Sequence, residues 1–187
     1  YKHKEKNTEQ AHLCLGFNGL ELGNKHMYSL LVLNNIFGGA MSSRLFQKIR
    51  EEKGLAYSVF SYPSSYTDCG ILSIYAGMKP SQLDYVIELI LKEIDCIKEN
   101  GITEEELYDS KEQIKGNYIL GLESTNGRMT SIGKSELLLD KIYSPKEIIK
   151  LIDNVTMEDI NYVIDLVFKN DKMGAAVIGP NKSTILK

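Results

Sequence analysis

Alternation of apolar and polar side chains predicts a strand from Gln10 to Phe17, with Ala11, Leu13 and Leu15 on one face and His12, Cys14 and Gly16 on the other. The polar residues Tyr1 to Thr8 before it are expected to be a frayed lead-in. After a turn-like stretch from Gly19 to Asn24 the period lengthens. Met27, Leu30, Leu31, Asn34 and Asn35 recur near helical spacing and predict a helix from about Lys25 to Phe37. A second helix is predicted from about Arg44 to Lys53, with Leu45, Phe46 and Ile49 on its apolar side and Arg50 at the edge of that side, close to Phe46. Ser42 and Ser43 are expected to cap its first amides, and Gly54 to end it where a positive φ is cheap. Beyond Gly54 the period returns to two, setting Ala56, Ser58 and Phe60 against Tyr57, Val59 and Ser61.

Pro63 to Asp68 reads as a polar connection to a second strand over Gly70 to Met78, in which Ile71, Ser73, Tyr75 and Gly77 oppose Leu72, Ile74 and Ala76. A hairpin is the simplest arrangement. Pro80-Ser81 opens a long helix with the stripe Leu83, Val86, Ile87, Ile90, Leu91, Ile94 and Ile97, closed at Asn100-Gly101. Thr103 and Glu106 form a capping-box pattern for a helix running to about Glu123. Ser124 to Gly127 interrupts the pattern, and a further helix carries Met129, Ile132, Leu137 and Leu138. Ser144-Pro145-Lys146-Glu147 and Thr156-Met157-Glu158-Asp159 start two short helices. Asn170-Asp171 is expected to turn the chain into a buried final strand from Met173 to Gly179, with a loose tail after Pro180. The element order predicts an α+β fold: a mixed, largely antiparallel β-sheet with helices packed on one face, in a single domain over residues 1–187.

Composition then removes several classes of function. The 22 Lys and Arg residues against 25 Asp and Glu leave a net charge of −3, a poor complement to nucleic acid. No apolar run approaches the ~18 residues of a membrane helix, so no membrane partner is expected. The chain starts at Tyr1 without a methionine and reads as a soluble, excised piece. Cys14, Cys69 and Cys96 are far apart and form no Cys-x-x-Cys pair. They are expected to be small buried residues in a reducing compartment rather than a disulfide framework or zinc ribbon. His12 and Cys14 share a strand face, but catalytic zinc takes three protein ligands and structural zinc four, so His12 is expected to be a satisfied, half-buried histidine.

One stretch carries more specific information. Gly38-Gly39, Ser42-Ser43-Arg44-Leu45-Phe46-Gln47, Arg50-Glu51 and Gly54-Leu55-Ala56-Tyr57-Ser58-Val59 form a continuous pattern. It resembles the C-terminal homologous half of zinc peptidases of the pitrilysin and insulinase class, which include the mitochondrial processing peptidases. The resemblance extends from Glu9-Gln10-Ala11-His12 to the last strand near Ile178. It implies one half of a two-half clamshell, in which an arginine and a tyrosine seven positions later help hold a peptide substrate over a zinc ion bound by the other half. Here those residues are Arg50 and Tyr57.

The resemblance assigns Arg50 and Tyr57 as catalytic and substrate-binding residues. An arginine fork can grip backbone carbonyls or a carboxylate, and a phenol can donate to the oxyanion formed on the scissile carbonyl. Without the family spacing, Arg50 would read as a solvated charge paired with Glu51 or a neighboring acid, and Tyr57 as a strand tyrosine with a buried ring. Gly38 and Gly39 either admit a substrate backbone or make a plain tight turn. The family's inverted His-x-x-Glu-His motif begins at none of His3, His12 and His26, so no metal ligand is assigned to this chain. Zinc would be a cofactor of the intact enzyme, bound by a missing N-terminal half or a partner subunit. The implied function is the non-zinc-binding half of a zinc metalloendopeptidase, inactive alone. The alternative is a non-catalytic partner or structural core subunit of the same family. A dimeric intact protein is compatible with either. Frequent Lys, Asn and Ile point to a bacterium, and the location is read as cytoplasmic, with the mitochondrion as the alternative.

Overall fold

Two strands whose alternate residues are all apolar dictate the center of the fold. The computed structural model describes residues 1–169 and 173–186. In β2 (Ala11–Asn18), Ala11, Leu13, Leu15 and Phe17 are buried, and in β4 (Gly70–Met78), Leu72, Ile74, Ala76 and Met78 are buried beside them. The other strands are β1 (Lys2–Glu5), β3 (Ala56–Ser65) and β5 (Gly174–Gly179), and the sheet order is β1-β5-β2-β4-β3. Every neighboring pair is antiparallel except β1 with β5. This is the predicted mixed, largely antiparallel sheet, and β3 with β4 is the predicted hairpin.

The helices are α1 (Met27–Asn34), α2 (Leu83–Asn100), α3 (Glu104–Gly121), α4 (Thr125–Leu139), α5 (Pro145–Asp153) and α6 (Met157–Val167). The α2 stripe is buried as its period requires, Leu91 alone being only partly covered. Ile160, Val163, Ile164 and Val167 of α6 join the same core. Phe168 is fully buried between Phe17, which it meets edge-on at 5.4 Å, and Phe37 at 5.0 Å. Each such side chain contributes about 1.5–3 kcal/mol through burial. Thr103, Ser144 and Thr156 cap α3, α5 and α6 with complete capping boxes.

Several expectations are corrected. Residues 1–8 are not frayed: β1 pairs with β5, and His3 Nε2 lies 3.1 Å from the Gly179 carbonyl oxygen. A short charged strand is tolerated there because an edge position is paired on one side only. Pro63 is not in a connection but in β3, opposite Leu72; an edge strand accepts proline because its outer amide needs no ladder partner. The tail is anchored rather than loose: Asp84 accepts hydrogen bonds from the Ser183 hydroxyl at 2.6 Å and the Thr184 hydroxyl at 2.6 Å, and Leu186 is buried. Cys69 is exposed beside the β3–β4 turn, and Cys14 and Cys96 are only half-buried, because Cys14 sits on the outward face of β2. The predicted turn at Asn170-Asp171 lies outside the described residues. The α4 segment is helical, yet none of its residues is buried and Leu137 is 85% exposed.

The capping acids make stability depend on acid in a definite direction. The Thr156 hydroxyl and amide lower the Asp159 pKa. Burial pushes Asp84 and Glu106 up, but hydrogen bonds from Ser183 and Thr184 to the first and from Arg44 and Thr103 to the second leave both below their ordinary values of 3.8 and 4.5. A depressed carboxyl stabilizes the fold fully above its unfolded pKa and loses that contribution as pH falls through its folded pKa. The melting temperature should therefore be flat from about pH 7 to pH 5 and fall progressively below about pH 4. A midpoint unchanged down to about pH 3 would show that these contacts contribute nothing.

Candidate functional site

The corner between α1 and β3 is built from two widened helical turns. Residues Asn35–Gly39 continue α1 as a π-helical turn, and Phe46–Glu51 form a second one, in which the Glu52 amide donates to the Gln47 carbonyl at 2.9 Å. Such turns insert a residue into the α-helical spacing and recur at functional sites. The apolar spacing of the segment carries no sign of them. Ser42 and Ser43 do not cap the second helix; Ser43 is buried with its hydroxyl unbonded, and the Gln47 side-chain amide instead donates to the Met41 carbonyl at 2.7 Å. Gly54 ends the segment at φ 59°, as expected of glycine there.

Gly38 fits the first turn against β3 rather than merely loosening it. A Cβ at Gly38 would stand 2.8 Å from the Ser61 backbone nitrogen and 2.5 Å from its Oγ. That hydroxyl is already committed, donating to Asn34 Oδ1 at 2.8 Å. Gly38→Ala is therefore expected to destabilize the chain by about 1–3 kcal/mol through overpacking, measurable by chemical denaturation. A loss under about 0.5 kcal/mol would mean that the turn and β3 separate without strain.

Arg50 reaches the position predicted for it. It is exposed, with its guanidinium carbon 4.8 Å from the center of the Phe46 ring. Both line a cleft of about 220 Å³ whose other walls are the Gly38–Met41 backbone turn and Ser58, Val59 and Phe60 of β3. No carboxylate among the described residues pairs with Arg50, so the pairing with Glu51 that the residue would suggest without the family spacing is not formed. Tyr57 is placed differently from the alternation. A β-bulge between Ala56 and Ser58 shifts the register, so Ala56 is buried and Tyr57 points outward, 54% exposed. A bulge re-aims a side chain in this way. Val59 and Ser61, predicted to share a face with Tyr57, remain inside. Tyr57 is not part of the cleft wall, and its hydroxyl has no hydrogen-bond partner among the described residues.

Sequence reasoning missed the charge cluster that holds this helix. Arg44 forms a two-pronged pair with Glu106, at 2.6 and 2.7 Å, and donates to the Gly101 carbonyl at 3.1 Å. Its remaining nitrogen lies 3.5 Å from Glu93, which is 4% exposed and also bonded by Lys48. The Glu106 hydrogen bond raises the Arg44 pKa further above its already high value. The one legible sign was the position of Glu93 inside the apolar run of α2.

The donor set does not fit a zinc ion. Among the described residues no three His, Cys, Asp or Glu side chains are grouped to hold a metal. His12 is the satisfied, half-buried histidine expected, its Nδ1 2.7 Å from the Tyr75 hydroxyl. His26 stacks on Tyr162 at 4.6 Å and lies 3.4 Å from the Asp159 carboxylate.

The profile of the family described as peptidase M16 inactive domain matches residues 1–114, which include the entire corner. The chain belongs to the M16 peptidases, as their inactive C-terminal domain. It is 51% identical over 178 residues to the uncharacterized zinc protease YmxG of Bacillus subtilis, covering 95% of this chain and 43% of that protein. It is 42% identical to an uncharacterized zinc protease of Streptomyces coelicolor, covering 95% of this chain and 38% of that one. The chain thus spans about two fifths of the length of the curated relatives it matches. A crystal structure of a peptidase M16 inactive domain from Pseudomonas fluorescens superposes with TM-score 0.86 at 21% identity, over 97% of this chain and 43% of that one. The M16 assignment agrees with the pitrilysin and insulinase resemblance read from the corner.

Proposed function

We propose that these 187 residues form one domain, the non-zinc-binding half of a zinc-dependent metalloendopeptidase, and that Arg50 and Tyr57 bind its peptide substrate and stabilize the transition state. The observation that carries this reading is the contrast within one helix-to-strand corner. Arg44 is held by Glu106, the Gly101 carbonyl and the nearby Glu93, whereas Arg50, six residues later, has no anionic partner among the described residues and opens on a cleft. Tyr57 is turned out of the sheet by a bulge with its hydroxyl unengaged. A free guanidinium fork suits carbonyl or carboxylate groups of a peptide, and a free phenol suits a developing oxyanion.

Zinc and the general base belong, in this reading, to the part of the longer protein outside these residues, or to a partner subunit. The uncovered apolar residues of α4 support a partner on that side of the domain. No helix of the described residues is long and apolar enough to cross a membrane. A bacterial cytoplasmic location is part of the proposal and rests on the bacterial relatives and the unpaired cysteines.

Elemental analysis and peptide cleavage test the reading together. The chain alone should hold no stoichiometric zinc and cleave nothing, while the intact protein should hold about one zinc per chain and cleave an unstructured peptide. An intact protein with neither zinc nor activity would make this a non-catalytic partner subunit. Zinc held by the isolated chain and lost in His12→Ala would overturn the placement of the metal.

A further inference from the structure

Glu93 is the one charged side chain that is buried among the described residues, at 4% exposure. It interrupts the apolar face of α2 between Ile90 and Ile94, both of which lie in the core. Its Oε2 accepts a hydrogen bond from Lys48, while its Oε1 has no hydrogen bond and faces Arg44 Nη1 at 3.5 Å. A carboxylate held in this way gives up hydration that one good and one long ion pair restore only in part. Stability alone therefore does not account for its place in the stripe.

The two cations it faces lie about one helical turn apart on the segment that carries Arg50. Arg44 belongs to the ordinary helical turn before Phe46–Glu51, and Lys48 to the widened turn itself, so Glu93 bridges the junction between the two. Lys48 and Arg50 are two positions apart, about half a turn. With Lys48 drawn to α2, Arg50 stands on the other side of the turn, beside Phe46 and in the cleft. Widened turns are rare, and a return to α-helical spacing would move the side chains that follow by one position, about 100° around the axis. Apolar contact with α2 does not forbid that rotation, because it is non-directional. The bond from Lys48 to Glu93 does forbid it, since rotation would withdraw Lys48 while Arg44 stays on Glu106.

We propose that Glu93 is a positioning residue for Arg50: by holding Lys48 and Arg44 on one buried carboxylate, it fixes the direction in which Arg50 enters the cleft. This role rests on the reading that Arg50 binds peptide, and extends it to a residue of α2 that does not line the cleft.

A double-mutant cycle in the intact protein separates positioning from a general effect on the fold. Glu93→Gln keeps the shape of the side chain and removes its charge. It should lower kcat/KM for a peptide about tenfold, a coupling of about 1.4 kcal/mol, and less than twofold once Arg50→Ala is present, because there is then no guanidinium left to aim. Lys48 is 47% exposed, so Lys48→Met tests the same tie from its less buried end and should show the same dependence on Arg50, whereas Lys48→Arg should keep most of the activity. Hydrogen exchange of the intact protein gives a readout that needs no turnover. The Glu52 amide, which donates to the Gln47 carbonyl across the widened turn, should exchange about tenfold faster in Glu93→Gln and in Lys48→Met, with the amides of α6 unchanged.

Unaltered kinetics in both variants, or exchange at Glu52 that does not change, would overturn the proposal. So would a tenfold loss that persists in the Arg50→Ala background, which would make Glu93 a support of the fold at large. Should Glu93→Gln fail to fold, the outcome for Lys48→Met decides. Failure of the peptidase reading has a separate signature: Arg50→Ala itself keeps wild-type parameters, or the intact protein cleaves no peptide, and the role of Glu93 falls with it whatever the exchange at Glu52.

Discussion

Replacing Tyr57 by Phe in the intact protein is expected to lower kcat by about 10²–10³-fold with little change in KM if Tyr57 has the proposed oxyanion role, because the ring stays and one donor goes. The bulge makes this substitution unusually clean. The Tyr57 hydroxyl bonds nothing among the described residues, and the side chain is mostly in solvent, so its removal should leave the melting temperature unchanged. If Arg50 binds the peptide as proposed, Arg50→Ala should raise KM as well as lower kcat, because a ground-state contact is lost along with the transition-state one. Arg50→Lys should restore little, because an ammonium has no planar fork. Steady-state kinetics on matched preparations of equal zinc content decide the point. Wild-type parameters for Tyr57→Phe would take the phenol out of the mechanism and leave Tyr57 as an exposed strand residue.

Arg44→Ala should be the most damaging single change for stability at the corner, costing about 2–4 kcal/mol. Loss of one member of a buried charge pair strands the other, and here Glu93, at 4% exposure, would keep only Lys48. Glu106 is nearer water, with its side chain 29% exposed, which moderates the cost. Arg44→Lys should recover only a minor part, because a single ammonium cannot replace two bonds to Glu106 together with the one to Gly101. Urea denaturation at neutral pH measures the loss. A cost below about 1 kcal/mol would mean that the cluster is replaceable by water. Arg44 and Arg50 thus separate by assay: the first should move stability, the second catalysis.

Much of the fold was legible because it depends on neighbors three or four positions apart or on a period of two. Thr103 and Glu106, Ser144 and Glu147, and Thr156 and Asp159 close their capping boxes within one turn. The alternations of β2 and β4 and the stripe of α2 each record one buried face, and the proximity of Arg50 to Phe46 is a single helical step. The corner pattern from Gly38 to Val59 was enough to indicate the M16 C-terminal domain. In each case the determining contacts lie inside a window that local spacing describes.

Tertiary structure alone decided the rest, because those contacts join residues far apart in the chain. Arg44 meets Glu106 across 62 positions, Asp84 meets Thr184 across 100, and β1 finds β5 near the opposite end of the chain. No local period encodes such pairs, and the polar stretches at both ends therefore read as loose. The bulge at Tyr57 is decided in the same way. Alternation placed Tyr57 on one face with Val59 and Ser61, but β3 must pair with β4 while fitting against the turns at Gly38 and Phe46, and one extra residue is absorbed where these demands meet. Sequence thus determined which residues stand at the corner. The packing of β3 between β4 and the widened turns decided that Tyr57 faces solvent.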